Sequence, residues 1–176
     1  INSSEMQVFL VRCSKNTVIE DSNISGTIGG KGRVVGVRGQ CQMYSSEVSL
    51  SLGSAIASAT AVGVQGSGDV LLVGCSITAQ AVVSGLTSTG SINNHARGIE
   101  YGASSRPTTL LVDSCTINAS ATHSVTWPEP AIVANSTLYE TSCAIWAQGS
   151  YTVVSVIDSE LSSGACVSQQ YTWHTG

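Results

Sequence analysis

Short apolar runs separated by polar corners recur along this chain at a nearly fixed distance. The first strand of each block reads Val8-Phe9-Leu10-Val11, Val35-Gly36-Val37, Val62-Gly63-Val64, Arg97-Gly98-Ile99 and Ala144-Ile145-Trp146. Aligning Leu10, Val37, Val64, Ile99 and Ile145 gives steps of 27, 27, 35 and 46 residues. Two equal units are thus followed by two with insertions, the signature of a stacked repeat whose extra residues bulge from a corner.

A second strand recurs in the same blocks: Asp21-Ser22-Asn23-Ile24, Glu47-Val48-Ser49-Leu50, Gly74-Cys75-Ser76-Ile77, Ser114-Cys115-Thr116-Ile117 and Asp158-Ser159-Glu160-Leu161. The two halves are spaced 14, 13 and 13 residues apart between Leu10 and Ile24, Val37 and Leu50, and Val64 and Ile77. Further β-branched and Leu-rich runs lie at Val70–Val73, Thr109–Val112 and Thr152–Ile157, with Gly-Ser corners such as Gly66-Ser67-Gly68-Asp69 between them. Charged residues are 10% of the chain, too few for helical repeats, and the 18 glycines suit tight turns. The pattern predicts an all-β solenoid of about five rungs over residues 1–176, a single domain with insertions in the later rungs. Like strands stack in parallel at ~4.8 Å, giving a column of roughly 24 Å. Each coil supplies the crossover that parallel pairing needs.

Two segments, Leu110–Ala119 and Val70–Ala79, resemble the coil of the right-handed parallel β-helix, in which apolar residues lead into Asp or Asn, then Ser or Cys, Thr and Ile. The resemblance covers about residues 7 to 170. It implies a shape shared by pectate-lyase-like enzymes, phage tail spikes, adhesins and large protist surface proteins. In texture the chain is also similar to dispersed gene family surface proteins of trypanosomes. The resemblance implies a fold and no particular reaction.

A net charge of −4 with seven Lys plus Arg leaves no basic stripe for phosphates, so nucleic acid is not an expected partner. No run of 18 apolar residues exists, so no helical membrane span is expected. The sequence opens on Ile1 without a signal peptide, the expectation for a processed protein or a segment of a longer chain. Strand-like sequence at both ends predicts terminal rungs with unpaired edges, which other copies or neighbouring segments would cover.

Cys13 and Cys41 follow first strands, Cys75 and Cys115 hold equivalent slots, and Cys143 and Cys166 flank the last rung. Stacked positions lie within disulfide reach, so the pairs expected are 13 with 41, 75 with 115 and 143 with 166. The alternative is a ladder of buried thiols filling the core. No ligand spacing for a metal appears, and no cofactor is expected. Sequons at Asn2, Asn23, Asn118 and Asn135 mark glycosylation candidates and, with the cysteines, an extracellular or cell-surface location. Asn118, beside inward Ile117, is the leading candidate.

The acids are scattered. Asp21 and Glu47 are read as sharing a corner in adjacent rungs, but the acidic ladder stops there. Asp158 and Glu160 have the spacing of a strand face, yet read as solvated carboxylates beside a turn. His95, His123 and His174 lack a nucleophile at recognisable spacing, so no catalytic residue is assigned. The insertion Ala121–Pro130 carries His123, Trp127 and Glu129, candidates for a binding loop, with Trp127 either a sugar platform or a cover for the column. Tyr101, Tyr139, Trp146, Tyr151 and Trp173 can form a cross-rung aromatic patch, and Arg33, Arg38, Arg97 and Arg106 read as solvated. Two functions follow: a non-catalytic structural or adhesive solenoid, such as a subunit of a surface filament or appendage, or a carbohydrate-binding or polysaccharide-degrading β-helix of lyase or tail-spike type, with glycans as partners.

Overall fold

The computed structural model describes residues 6–54, 58–84, 90–102, 106–124, 136–148, 152–163 and 167–173. Their regular elements are all β-strands, so no helix among the described residues is long and apolar enough to cross a membrane. The first rung holds β1 (Met6–Glu20) and β2 (Asn23–Gly29), and the second holds β3 (Gly32–Tyr44) and β4 (Glu47–Ser54). The third holds β5 (Ala59–Gly66), β6 (Val70–Val73) and β7 (Ser76–Val83). The fourth holds β8 (Gly90–Gly102), β9 (Thr108–Asp113) and β10 (Thr116–His123). The fifth holds β11 (Ser136–Gln148), β12 (Thr152–Ile157) and β13 (Glu160–Ser162), followed by β14 (Val167–Trp173).

Like strands stack on three faces. On the first, β1, β3, β5, β8 and β11 pair in sequence, all parallel. On the second, the C-terminal ends of β1 and β3 continue into β6, β9 and β12. The third face runs β2, β4, β7, β10, β13, again parallel. Because β1 and β3 run unbroken from the first face onto the second, those two faces join into one nine-stranded sheet. The exception is β14, which lies antiparallel on β11 and covers Ser136–Ser142.

Side chains fall into columns with one member per rung. Val11, Val37, Val64, Ile99 and Ile145 form one; Ile24, Val48, Ile77, Ile117 and Leu161 form another. The middle members of both columns are fully buried. Each such side chain contributes about 1.5–3 kcal/mol of burial, repeated rung after rung. A glycine column lies beside the first: a Cβ on Gly36, Gly63 or Gly98 would stand 2.6, 2.4 or 2.3 Å from Val48 Cγ1, Ile77 Cγ2 or Ile117 Cγ2. The third face therefore presses its branched side chains where the first face has none.

The corner between the second and third faces repeats more strictly than any strand. Asp21, Ser45, Gly74, Ser114 and Asp158 all adopt positive φ, between 44° and 63°. The next residue in each rung is Ser22, Ser46, Cys75, Cys115 or Ser159. Their side chains donate to the carbonyls two residues back, on Glu20, Tyr44, Val73, Asp113 and Ile157. The same atoms accept backbone N–H groups from the preceding rung: Ser22 N to Ser46 Oγ at 3.2 Å, Cys75 N to Cys115 Sγ at 3.3 Å, and Cys115 N to Ser159 Oγ at 3.0 Å. A hydroxyl or thiol ladder thus satisfies backbone groups that a tight corner would otherwise leave unpaired.

This geometry corrects the sequence alignment in the first two rungs. Val11, not Leu10, stacks on Val37, and Val48, not Leu50, stacks on Ile24. Asp21 and Glu47 therefore do not share a corner: Asp21 aligns with Ser45, while Glu47 pairs with Asn23 and accepts its Nδ2–H at 3.2 Å. Val48 and Leu50 are both inward and apolar, so composition could not separate the two registers. Cys13 faces Gly39, and Cys41 faces Thr17, because the register shifts between Cys13 and Thr17. Asn16 has φ of 72° in that bulge, and the Thr17 Oγ1 accepts the Ser14 N–H at 3.0 Å.

Candidate functional site

The densest polar chemistry lies on the outer wall of the first face. Register places Arg12, Arg38, Gln65, Glu100 and Trp146 in one outward column, one from each rung. Arg33 lies in the column of Thr60 and His95, and Arg97 in that of Phe9 and Val62. Four of the chain's five arginines thus share one wall, in a protein whose net charge is −4.

Glu100 is the hub. Its Oε1 accepts from Arg33 Nη2 at 2.6 Å and Gln65 Nε2 at 2.9 Å, and its Oε2 accepts from Arg97 Nη1 at 2.5 Å. Arg97 and Glu100 side chains are each 13% exposed, so the pair is only weakly screened. Burial pushes the Glu100 carboxyl up, but hydrogen bonds and charge from Arg33 and Arg97 outweigh it and hold the group below the usual Glu range. Burial lowers both Arg97 and His95, with neighbouring positive charge adding to the effect in each. The Arg97 guanidinium lies 3.4 Å from the Trp146 ring centroid. Phe9 carries two further guanidinium groups, Arg38 at 4.6 Å and Arg12 at 5.2 Å. These contacts correct the reading of Arg33, Arg38 and Arg97 as merely solvated: each is fixed against a carboxylate or a ring.

Beside this hub a cleft of about 150 Å³ opens between Arg38, Gln65, Ser67, Trp146 and Gln148. A larger one of about 430 Å³ follows the corner to the second face, lined by Lys15, Gln40, Asp69, Arg106 and Thr108. The wall can offer guanidinium donors, amide groups and aromatic faces to a polar ligand. Its hub carboxylate, Glu100, is already held by three donors.

The other expected site residues are dispersed. His123 ends β10, and its Nδ1 lies 3.2 Å from Glu140 Oε2. Glu140 is buried, and its Oε1 accepts from Asn94 Nδ2 at 3.1 Å; Asn94 also donates to the Thr122 carbonyl at 2.7 Å. His123 therefore serves an internal polar network, not the binding loop expected for it. Trp127 and Glu129 lie outside the described residues, as do Asn2, Asn135 and Cys166. Asn23 is exposed on the edge strand β2, whereas Asn118 is half-buried in mid-strand, flanked by Thr78 and Ser162. Tyr101 is buried and donates its hydroxyl to the Gly68 carbonyl at 2.8 Å, while Trp146 sits on the outer wall; both line the cleft beside Glu100.

Cys143 is disulfide-bonded. Cys13, Cys41, Cys75 and Cys115 are free thiols, brought together in the expected pairs without a bond between them. The hydrogen bond with Cys115 lowers the Cys75 thiol to about 6 against the effect of burial, while Cys115 is raised by that same bond and by burial. Burial raises both Cys13 and Cys41, which also hydrogen-bond to each other.

Residue types and spacing did not disclose Glu100, Gln65, Arg12 and Phe9 as a group. Arg12 joins the column of Arg38, Gln65, Glu100 and Trp146, and Phe9 that of Val62 and Arg97, only when Val11 is set on Val37. No protein-family model, curated protein or solved structure matches the chain.

Proposed function

We propose that the chain is a right-handed parallel β-helix acting outside the cell as a non-catalytic structural or adhesive element, with the outer wall of the first face as its contact surface. The observation that carries this reading is the state of Glu100. It is locked between Arg33, Arg97 and Gln65, which suits a fixed recognition surface and not a proton donor or acceptor. The disulfide at Cys143 and the exposed sequon at Asn23 support an oxidising, extracellular setting.

The alternative is a carbohydrate-binding or polysaccharide-degrading β-helix. It draws on Trp146 beside a cleft that also carries Arg38, Gln65 and Gln148, since rings and amides serve sugars well. One experiment addresses both. Immobilised wild-type protein and the Arg38→Ala variant are tested for retention on cell-surface and matrix preparations and for product release from a polysaccharide panel. Retention that falls at least tenfold in the variant, with no product released, supports the adhesive reading; turnover of any polysaccharide replaces it with the enzymatic one.

A further inference from the structure

Every large hydrophobic side chain that is exposed among the described residues lies on the first or the last rung. Met6, Leu10 and Val18 are on β1, and Val153, Val154, Val156 and Ile157 are on β12. The described residues of the middle rungs expose none. Among the described residues, β1 has no strand partner on the outward side of the stack beyond β3, and β12 none beyond β9.

Building on the structural reading above, we propose that the fifth rung docks onto the first rung of a second copy of this chain, extending the stack head to tail. The columns themselves carry the argument. Continuing each one step past the fifth rung sets Ile145 on the partner copy's Val11, Val156 on its Ile19 and Leu161 on its Ile24, apolar on apolar in every case.

The polar columns close equally well. In the corner ladder each N–H seeks the hydroxyl or thiol of the following rung, so the Ser159 N–H faces outward from the stack and the Ser22 Oγ is the matching acceptor. Glu160 falls on Asn23, whose amide already donates to Glu47 from the other side and has a second N–H to give. Trp146 falls on Arg12, repeating the Arg97–Trp146 contact. Two matches are unfavourable: Asp158 on Asp21, two carboxylates about 5 Å apart, and the apolar Ile157 on Glu20.

The antiparallel β14 covers Ser136–Ser142, and among the described residues no strand pairs with the outer edge of Cys143–Gln148, β12 or β13. In register, Ser142 corresponds to Val8 and Cys143 to Phe9, so among the described residues β14 conflicts with Met6–Val8 of an incoming copy. Because the fifth rung of one copy meets the first rung of the next, the interface is heterologous, the type that propagates when no rotation closes it.

The test uses the full chain carrying a charge at one end or the other. Wild type is expected to form end-to-end oligomers in sedimentation velocity and negative-stain images, and more of them once Asp21→Asn removes the carboxylate clash. Val156→Glu blocks the last rung and Leu10→Glu the first. Each alone should be a folded monomer by circular dichroism, and an equimolar mixture should form a 1:1 dimer that grows no further. Wild type that stays monomeric at high concentration, oligomers that survive Val156→Glu, or a mixture that yields no dimer would each overturn the proposal. Because no surface or glycan is present, such a failure leaves the adhesive reading of the first face standing. Loss of adhesion by assembled protein would sink that reading instead.

Discussion

The backbone N–H of Cys75 donates to the Cys115 Sγ at 3.3 Å, so a thiol stands where Ser46 and Ser159 place a hydroxyl in other rungs. Ladder function depends on an acceptor at that spot, not on sulfur. Cys115→Ser is expected to change stability by less than about 1 kcal/mol. Cys115→Ala leaves the Cys75 N–H and the Asp113 carbonyl without their partner and should cost roughly 1–3 kcal/mol. Urea denaturation of both variants measures the difference; equal losses would mean that packing volume, not the hydrogen bonds, governs the site.

Accessibility and acidity make opposing demands on the thiols. Cys75 has the lowered pKa but only 2% exposure, whereas Cys13 is raised yet partly exposed. A reagent must reach sulfur before ionisation matters, so iodoacetamide should modify Cys13 first in the native protein, faster as pH rises, and the other three free thiols only on unfolding. Peptide mass spectrometry gives the order, and early labelling of Cys75 would contradict it.

The glycine column offers a control within one residue type. An added methyl at Gly63 would meet Ile77 Cγ2 at 2.4 Å, while Gly53 has nothing within 4 Å. Gly63→Ala is expected to cost about 1–3 kcal/mol through overpacking. Gly53→Ala should be neutral or slightly stabilising, as loss of unfolded-state freedom favours the substitution. Thermal midpoints would show the contrast.

Acid should act on the outer wall in two stages. His95 is depressed by burial, so below the ordinary His range the unfolded chain takes up a proton that the folded one resists, and stability falls. Glu100 is also depressed, so its contribution is complete above the ordinary Glu range and is lost as pH falls through its lower folded value. His95→Gln should remove the first stage only. Glu100→Gln should remove the second, and at neutral pH it should cost roughly 3 kcal/mol, because Arg33 and Arg97 keep their charge without a counterion. Denaturation midpoints followed from pH 8 to pH 3 would reveal both stages; a flat profile for wild type would refute the assignment.

The apolar period alone determined that this chain is all-β and that like strands lie parallel. Stacking identical apolar slots is the one arrangement that buries all five repeats together. Where a rung's polar corner is distinctive, as at Cys75 and Cys115, spacing also fixed the partners. Tertiary structure alone decided the register of the first two rungs, since Leu10 and Val11, or Val48 and Leu50, are interchangeable by hydropathy and only stacking separates them. With that register Arg12 and Phe9 joined the wall around Glu100, whose members come from successive rungs far apart in sequence, each one strand spacing from the next in space. Strand β14 lay beyond the repeat's reach as well. Its antiparallel course depends on which edge remains free at the end of the stack, and no periodicity records that.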